Sequence, residues 1–159
     1  MPLKQLNAEV LVAEDDVVAV CRADLERLVS RVPTTPRKRI RICAHRDASD
    51  RLHEMLIAMT RDTYIRAHKH LNKSESVHVI AGSADFVLFD DAGQISEIIE
   101  VGDYASGRQF YYRVSGPQYH TLLIRSEVLV VHETTNGPFH RDDTRKNACG
   151  HTPYTISAM

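Results

Sequence analysis

The sequence predicts an all-β protein, an antiparallel barrel or sandwich with a short N-terminal helical region. Two observations lead there. From Arg39 onward, about nine short runs of β-branched and aliphatic residues follow one another with turn residues between them, the spacing of an all-β domain. Ahead of them lies a single stretch with helical periodicity. A chain of 159 residues, 43% hydrophobic and 26% charged, has the size of one domain and can bury a core without disulfides or structural metal. Any metal it holds therefore serves function.

The helix is expected from about Val17 to Val32. Val17, Val20, Ala23, Leu28 and Val32 keep roughly helical spacing, Asp15 or Asp16 can cap the start, and Pro33 and Pro36 stop the end. The strand-like runs are Ile40–Ala44, Leu52–Met59, Thr63–Ala67, Ser76–Ala81, Ala84–Phe89, Gln94–Val101, Phe110–Val114, Thr121–Arg125 and Val128–Thr134. Asp90-Asp91-Ala92-Gly93 reads as a hairpin turn and Gly82-Ser83 as a close reversal. The tail from Asn136 is rich in charge, Gly and Pro without periodicity, and is expected to be irregular. The resulting division is residues 1–36 as a helical segment, 37–139 as the barrel and 140–159 as tail.

Several functional classes are disfavoured. Twenty basic against 21 acidic residues do not make a nucleic-acid binder. No apolar run is long enough for a membrane span, and the first residues lack the pattern of a secretory signal, so a cytoplasmic protein is expected. Cys21, Cys43 and Cys149 are widely spaced and form no metal-knuckle motif; they are read as reduced, with Cys43 in the core.

The unusual count is nine histidines. His68 and His70 are two residues apart at the end of a strand-like run, so both imidazoles point to one face and can converge on one ion. Leu71–Ser74 can turn the chain, and a hairpin would return Glu75 beside the pair, adding a carboxylate to two imidazoles. An HxH pair alone has a packing explanation; the carboxylate five residues on, Gly82 beyond it and the all-β surroundings favour a metal centre.

His68-x-His70-x4-Glu75-x6-Gly82 resembles the first motif of the cupin superfamily. The resemblance implies a cupin-type antiparallel β-barrel (double-stranded β-helix, or jelly roll) holding a divalent metal, with a further ligand from a second motif. His120, following Gly116-Pro117 at a strand start, matches that position. Asp62 stands where a glycine often opens the first motif, and Ile124 where the second motif ends in Asn. Over most of the chain, Arg41–His45, Arg51–Ile57, Lys73–Ser76, Gly102–Arg108 and His132–Phe139 are similar to the WbuC family of cupin-fold metalloproteins. Some members of that family are encoded with O-antigen genes, which implies surface-polysaccharide biosynthesis and names no reaction.

Three imidazoles and one carboxylate leave open positions on a six-coordinate ion, where a substrate with adjacent oxygens can chelate. Fe, Mn, Ni, Co and Zn all suit the donor set, and isomerase, epimerase and oxygenase chemistry all fit it. A proton-transfer group would come from His53, Glu54, Tyr64, Arg66, Tyr111, Tyr112, His132 or Glu133. Strict alternation places Tyr64 and Arg66 on the face of His68 and His70; with Tyr112 they are the expected substrate-binding residues, although each also has an ordinary structural explanation. His78 alternates away from Glu75 and is read as packing; His45, His140 and His151 are read as solvated.

The basic run Pro36-Arg37-Lys38-Arg39-Ile40-Arg41 could meet the diphosphate of a nucleotide sugar, but reads first as a solvated strand edge blunted by charge. The leading expectation is a metal-dependent enzyme on a small polar or carbohydrate-derived molecule, in a homodimer, without nucleic-acid or membrane partners. The competing expectations are a non-catalytic metal- or sugar-binding cupin and a metal-free epimerase of the same shape.

Overall fold

A computed structural model describes residues 1–146. Twelve strands and one α-helix follow the order β1 (Leu3–Asn7), β2 (Val10–Ala13), α1 (Arg22–Arg31), β3 (Arg39–Cys43), β4 (Leu52–Thr60), β5 (His68–His70), β6 (Glu75–Ala81), β7 (Ser83–Phe89), β8 (Ile95–Gly102), β9 (Tyr111–Val114), β10 (Tyr119–Ile124), β11 (Val128–Asn136) and β12 (Thr144–Lys146). A seven-stranded sheet, β1-β2-β3-β4-β11-β6-β9, faces a five-stranded sheet, β12-β5-β10-β7-β8. The barrel strands pair antiparallel as expected; β2 and β3 are parallel, joined through α1. Among the described residues no helix is long and apolar enough to cross a membrane.

Period-two alternation builds the interior. Val77 and Val79 of β6, Met59 of β4, Leu129 and Val131 of β11, and Phe86, Tyr112 and Ile124 from the other strands form one buried cluster between the sheets. The opposite face of β3 and β4 is also buried. There Ile40, Ile42, Ala58 and Val130 meet Leu28 and Val32 from the helical segment, with Leu11 of β2 completing the cluster. On β3 the outer-face residues Ile40 and Ile42 are buried in this cluster, while Arg39 and Arg41 between them are half-buried and exposed. At the reversal between β6 and β7, Gly82 has φ +86°, and a Cβ there would run into the Val128 carbonyl oxygen.

Several sequence expectations are corrected. The helix starts at Arg22, capped by Cys21, whose backbone N–H donates to the Asp24 carboxylate at 2.9 Å; Asp16 instead pairs with Arg46, and Val17 is 82% exposed. The leading segment also carries β1 and β2, which were not expected. Thr63–Ala67 is not a strand. Its Thr63 hydroxyl donates to the Lys38 carbonyl, and the Ile65 carbonyl accepts from Thr121, so these residues cross between sheets. The tail contributes β12, paired with β5. Cys149 and His151 lie outside the described residues.

Candidate metal centre

The short strand β5 pairs with β10 so that His68 lies directly across from His120. Glu75 opens β6 in the other sheet, so the expected β5–β6 hairpin is instead a crossing between sheets. Four bonds hold that crossing. The Leu71 N–H donates to the Asp143 carbonyl at 2.8 Å and the Asn72 amide to the Asp143 carboxylate at 3.1 Å. The Ser74 N–H donates to the Asn136 side chain at 2.8 Å, and the Thr135 hydroxyl to the Ser74 carbonyl at 2.9 Å. The result is the convergence that the spacing predicts, reached by a different path.

One donor atom from each of His68, His70, Glu75 and His120 lies within 4.8 Å of the other three. His70 Nε2 is 3.1 Å from one Glu75 oxygen and His120 Nε2 3.8 Å from the other. Two ligands held at roughly 2.1 Å from a common ion can be at most about 4.2 Å apart, so contractions of a few tenths of an ångström complete such a shell.

The protonation pattern suits a metal as well. His68 Nδ1 donates to the Arg66 carbonyl and His120 Nδ1 to the Gln118 carbonyl, each at 2.9 Å. Both Nε2 atoms are therefore bare lone pairs facing the centre. His120 Nε2 is buried with no hydrogen-bond partner among the described residues. A buried acceptor left so is costly unless something positive sits in front of it. Burial, followed by the charge of His120, lowers the His68 pKa to about 4; burial also lowers that of His120. For Glu75, burial acts upward, but the His70 hydrogen bond and the three imidazoles outweigh it and hold the carboxyl below its ordinary value. At neutral pH the set is thus two neutral imidazoles and a carboxylate, with His70 joined to Glu75.

The cluster lines a cavity of about 210 Å³ shared with Tyr112, Glu133, Arg39 and Arg41. Tyr112 is 9% exposed and stacked on Phe86 at 4.0 Å between ring centres. Burial and the charges of Glu75 and Glu133 push its hydroxyl pKa well up, so it stays protonated. Glu133, on the inward face of β11, has a pKa raised to about 8, first by burial and then by Glu75, against the lowering effect of Arg41 and Arg39.

The other expected residues lie elsewhere. Tyr64 is 49% exposed, Arg66 is exposed, and neither lines the cavity; Ile65 between them does. The alternation argument fails because that segment is not a strand. Tyr111 points outward and donates to Ser76 at 3.2 Å. His132 and Glu54 face each other at 3.8 Å outside the cavity. His53 is buried under His45 in a parallel stack, with ring centres 4.2 Å apart. His45 is therefore half-buried rather than solvated, whereas His78 is exposed against Phe110 and His140 is exposed.

Sequence reasoning missed Thr144, whose hydroxyl is 3.1 Å from His70 Nδ1, and Glu9, a carboxylate at the cavity wall. It also took Arg39 and Arg41 for a strand edge. In the structure β3 lies between β2 and β4, so the run is not a strand edge, and half-buried Arg39 and exposed Arg41 both line the cavity. The signal was present, since Ile40 and Ile42 alternate with them and are buried.

Comparisons agree with this architecture. The chain is similar in structure to a protein from Shewanella oneidensis, with a TM-score of 0.52 and 12% identity over 65% of this chain and 66% of that one. It is also similar to a Klebsiella pneumoniae protein with a double-stranded β-helix domain, with a TM-score of 0.52 and 11% identity over 68% of this chain and 78% of that one. A mutant of Bacillus subtilis oxalate decarboxylase aligns at a TM-score of 0.49 and 20% identity, over 69% of this chain and 28% of that one. The chain thus spans just under two thirds of the first of these proteins and less than a third of the decarboxylase. Likeness at such identities to the first two shows the fold alone, a double-stranded β-helix. No curated protein matches the chain. Over residues 20–101, just over half of its length and including His68, His70 and Glu75, the sequence matches the model of a domain of unknown function, DUF6016, and the chain belongs to that family.

Proposed function

We propose that the protein is a metal-dependent cupin enzyme holding one divalent transition metal through His68, His70, Glu75 and His120 and acting on a small polar substrate. The observation that carries this reading is the bare, buried Nε2 of His120 facing the Glu75 carboxylate with His68 and His70 beside it. Such an ion supplies Lewis acidity for isomerisation or epimerisation or, as iron, oxygenase chemistry. Two groups of the chain stand ready beside it. Glu133, whose pKa burial and the Glu75 charge raise to about 8 in the metal-free chain, can take or give a proton, and the Tyr112 hydroxyl can donate a hydrogen bond to a substrate oxygen. Similarity of residues 41–45, 51–57 and 132–139 to the WbuC family supports a carbohydrate-derived substrate and a place in surface-polysaccharide biosynthesis.

Metal analysis by mass spectrometry on protein purified without tag or chelator tests the reading. About one equivalent of Fe, Mn, Ni, Co or Zn is expected in the wild type and a loss in both His70→Ala and Glu75→Ala. Wild-type protein that neither contains metal nor takes it up on reconstitution would overturn it.

A further inference from the structure

Three arginines of one short segment, Arg37, Arg39 and Arg41, reach the cavity that holds the four-donor cluster. Two of them have partners. Arg37 binds the Glu9 carboxylate through its backbone N–H at 2.8 Å and its side-chain Nε at 2.6 Å, and Arg41 hydrogen-bonds the Cys43 side chain. Arg39, half-buried on the inward face of β3, feels the Glu9 and Glu133 carboxylates through space but makes no direct side-chain hydrogen bond or ion pair among the described residues. A guanidinium is always charged and carries five donors. Arg39 therefore has donors free to meet an anion that enters the cavity, which adds acceptors that the distant carboxylates do not supply.

The charge count points the same way, and taking every carboxyl as ionised gives its lower bound. With Glu9, Glu75 and Glu133 all ionised, the three arginines are just balanced. A divalent ion at the cluster leaves the cavity two charges positive, and any protonation of Glu133 makes it more so. Volume limits what can neutralise it. About 210 Å³ is below the roughly 300–1,000 Å³ of sites for drug-sized ligands, too small to enclose a nucleotide sugar.

We propose that the substrate is a small molecule bearing an anionic oxygen group, carboxylate or phosphate, which Arg39 and Arg41 hold while its other oxygens face the His68, His70, Glu75 and His120 donors. Guanidinium forks match the oxygen spacing of both groups. The charge excess and the other end of this ligand rest on the metal-centre reading above; the free donors of Arg39 do not.

Calorimetric titration of malonate, inorganic phosphate and neutral 1,3-propanediol into metal-loaded and chelator-treated protein tests the proposal. At least one anion is expected to bind both forms, more tightly with metal, and the diol neither. The stronger of malonate and phosphate identifies the carboxylate or phosphate source. Arg39→Gln should weaken that anion about tenfold or more, with Arg39→Lys in between. Should Arg39→Gln fail to fold, Arg41→Gln gives the same readout. No binding of either anion to the wild type, or binding unchanged in the folded glutamine variant, would overturn the proposal. Anion binding that depends on Arg39 in a chain that takes up no metal upholds it while removing the metal centre. Metal uptake without anion binding does the reverse.

Discussion

His68, His70 and Glu75 were readable from spacing because the requirement is local: period two aligns the imidazoles, and a short crossing returns the carboxylate. His120 is 45 or more residues beyond them, and only a family resemblance pointed to it; the pairing of His120 with His68 gives the physical reason. Glu133 shows what no pattern could say. It alternates with Val131 as any inward residue does, yet its surroundings raise its pKa to about 8, against an ordinary 4.5. Between those values the folded chain binds a proton that the unfolded chain has released, so Glu133 costs stability progressively as pH rises from 4.5 to 8. In metal-stripped protein, Glu133→Gln should remove that slope, leaving the variant the more stable at pH 8 and the two closest near pH 4.5. Urea denaturation at several pH values measures this; parallel pH profiles would contradict it.

Runs of β-branched and aliphatic residues marked β3, β4, β7 and β11 within a residue or two of their ends. The misses are short elements whose identity is decided by partners. β5 and β12 have three residues each, too few for a periodic signal, and Thr144–Lys146 becomes a strand only because β5 offers an open edge. The α1 start was misplaced because Asp16 is engaged with Arg46 while Asp24 closes the first turn from inside. β12 matters to the site nonetheless. The Thr144 hydroxyl fixes the His70 ring through Nδ1, and outer contacts of this kind are typically worth about 10–100-fold in metal affinity. Thr144→Val should therefore weaken metal binding by about that factor while the four ligands remain; competition against a chelator of known affinity reads it. Thr144→Ser, which keeps the hydroxyl, should restore most of the loss.

At the scale of the molecule, the helical segment and the barrel share one sheet. β1 and β2 extend it beyond β3, and Leu28 and Val32 close its outer face. The division into residues 1–36 and 37–139 follows composition, whereas hydrogen bonds and apolar clusters run across it. Heat should accordingly unfold the chain in a single transition, coincident by far-ultraviolet circular dichroism and tyrosine fluorescence. Metal should shift that transition as a whole: an ion at 100 times its dissociation constant adds about 2.7 kcal/mol. A chelator-sensitive second step separate from the first would show two independent units.

The position of β11 has a consequence for synthesis. It lies between β4 and β6, pairing with residues 52–60 on one side and 75–81 on the other, yet follows both by about 50 or more residues. As the chain leaves the ribosome at about 5–20 residues per second, the facing edges of β4 and β6 wait several seconds for the strand that joins them. During that interval they offer unpaired backbone to any extended segment nearby, so chains truncated before Val128–Asn136 should aggregate far more readily than the full chain, which turbidity of the two would show.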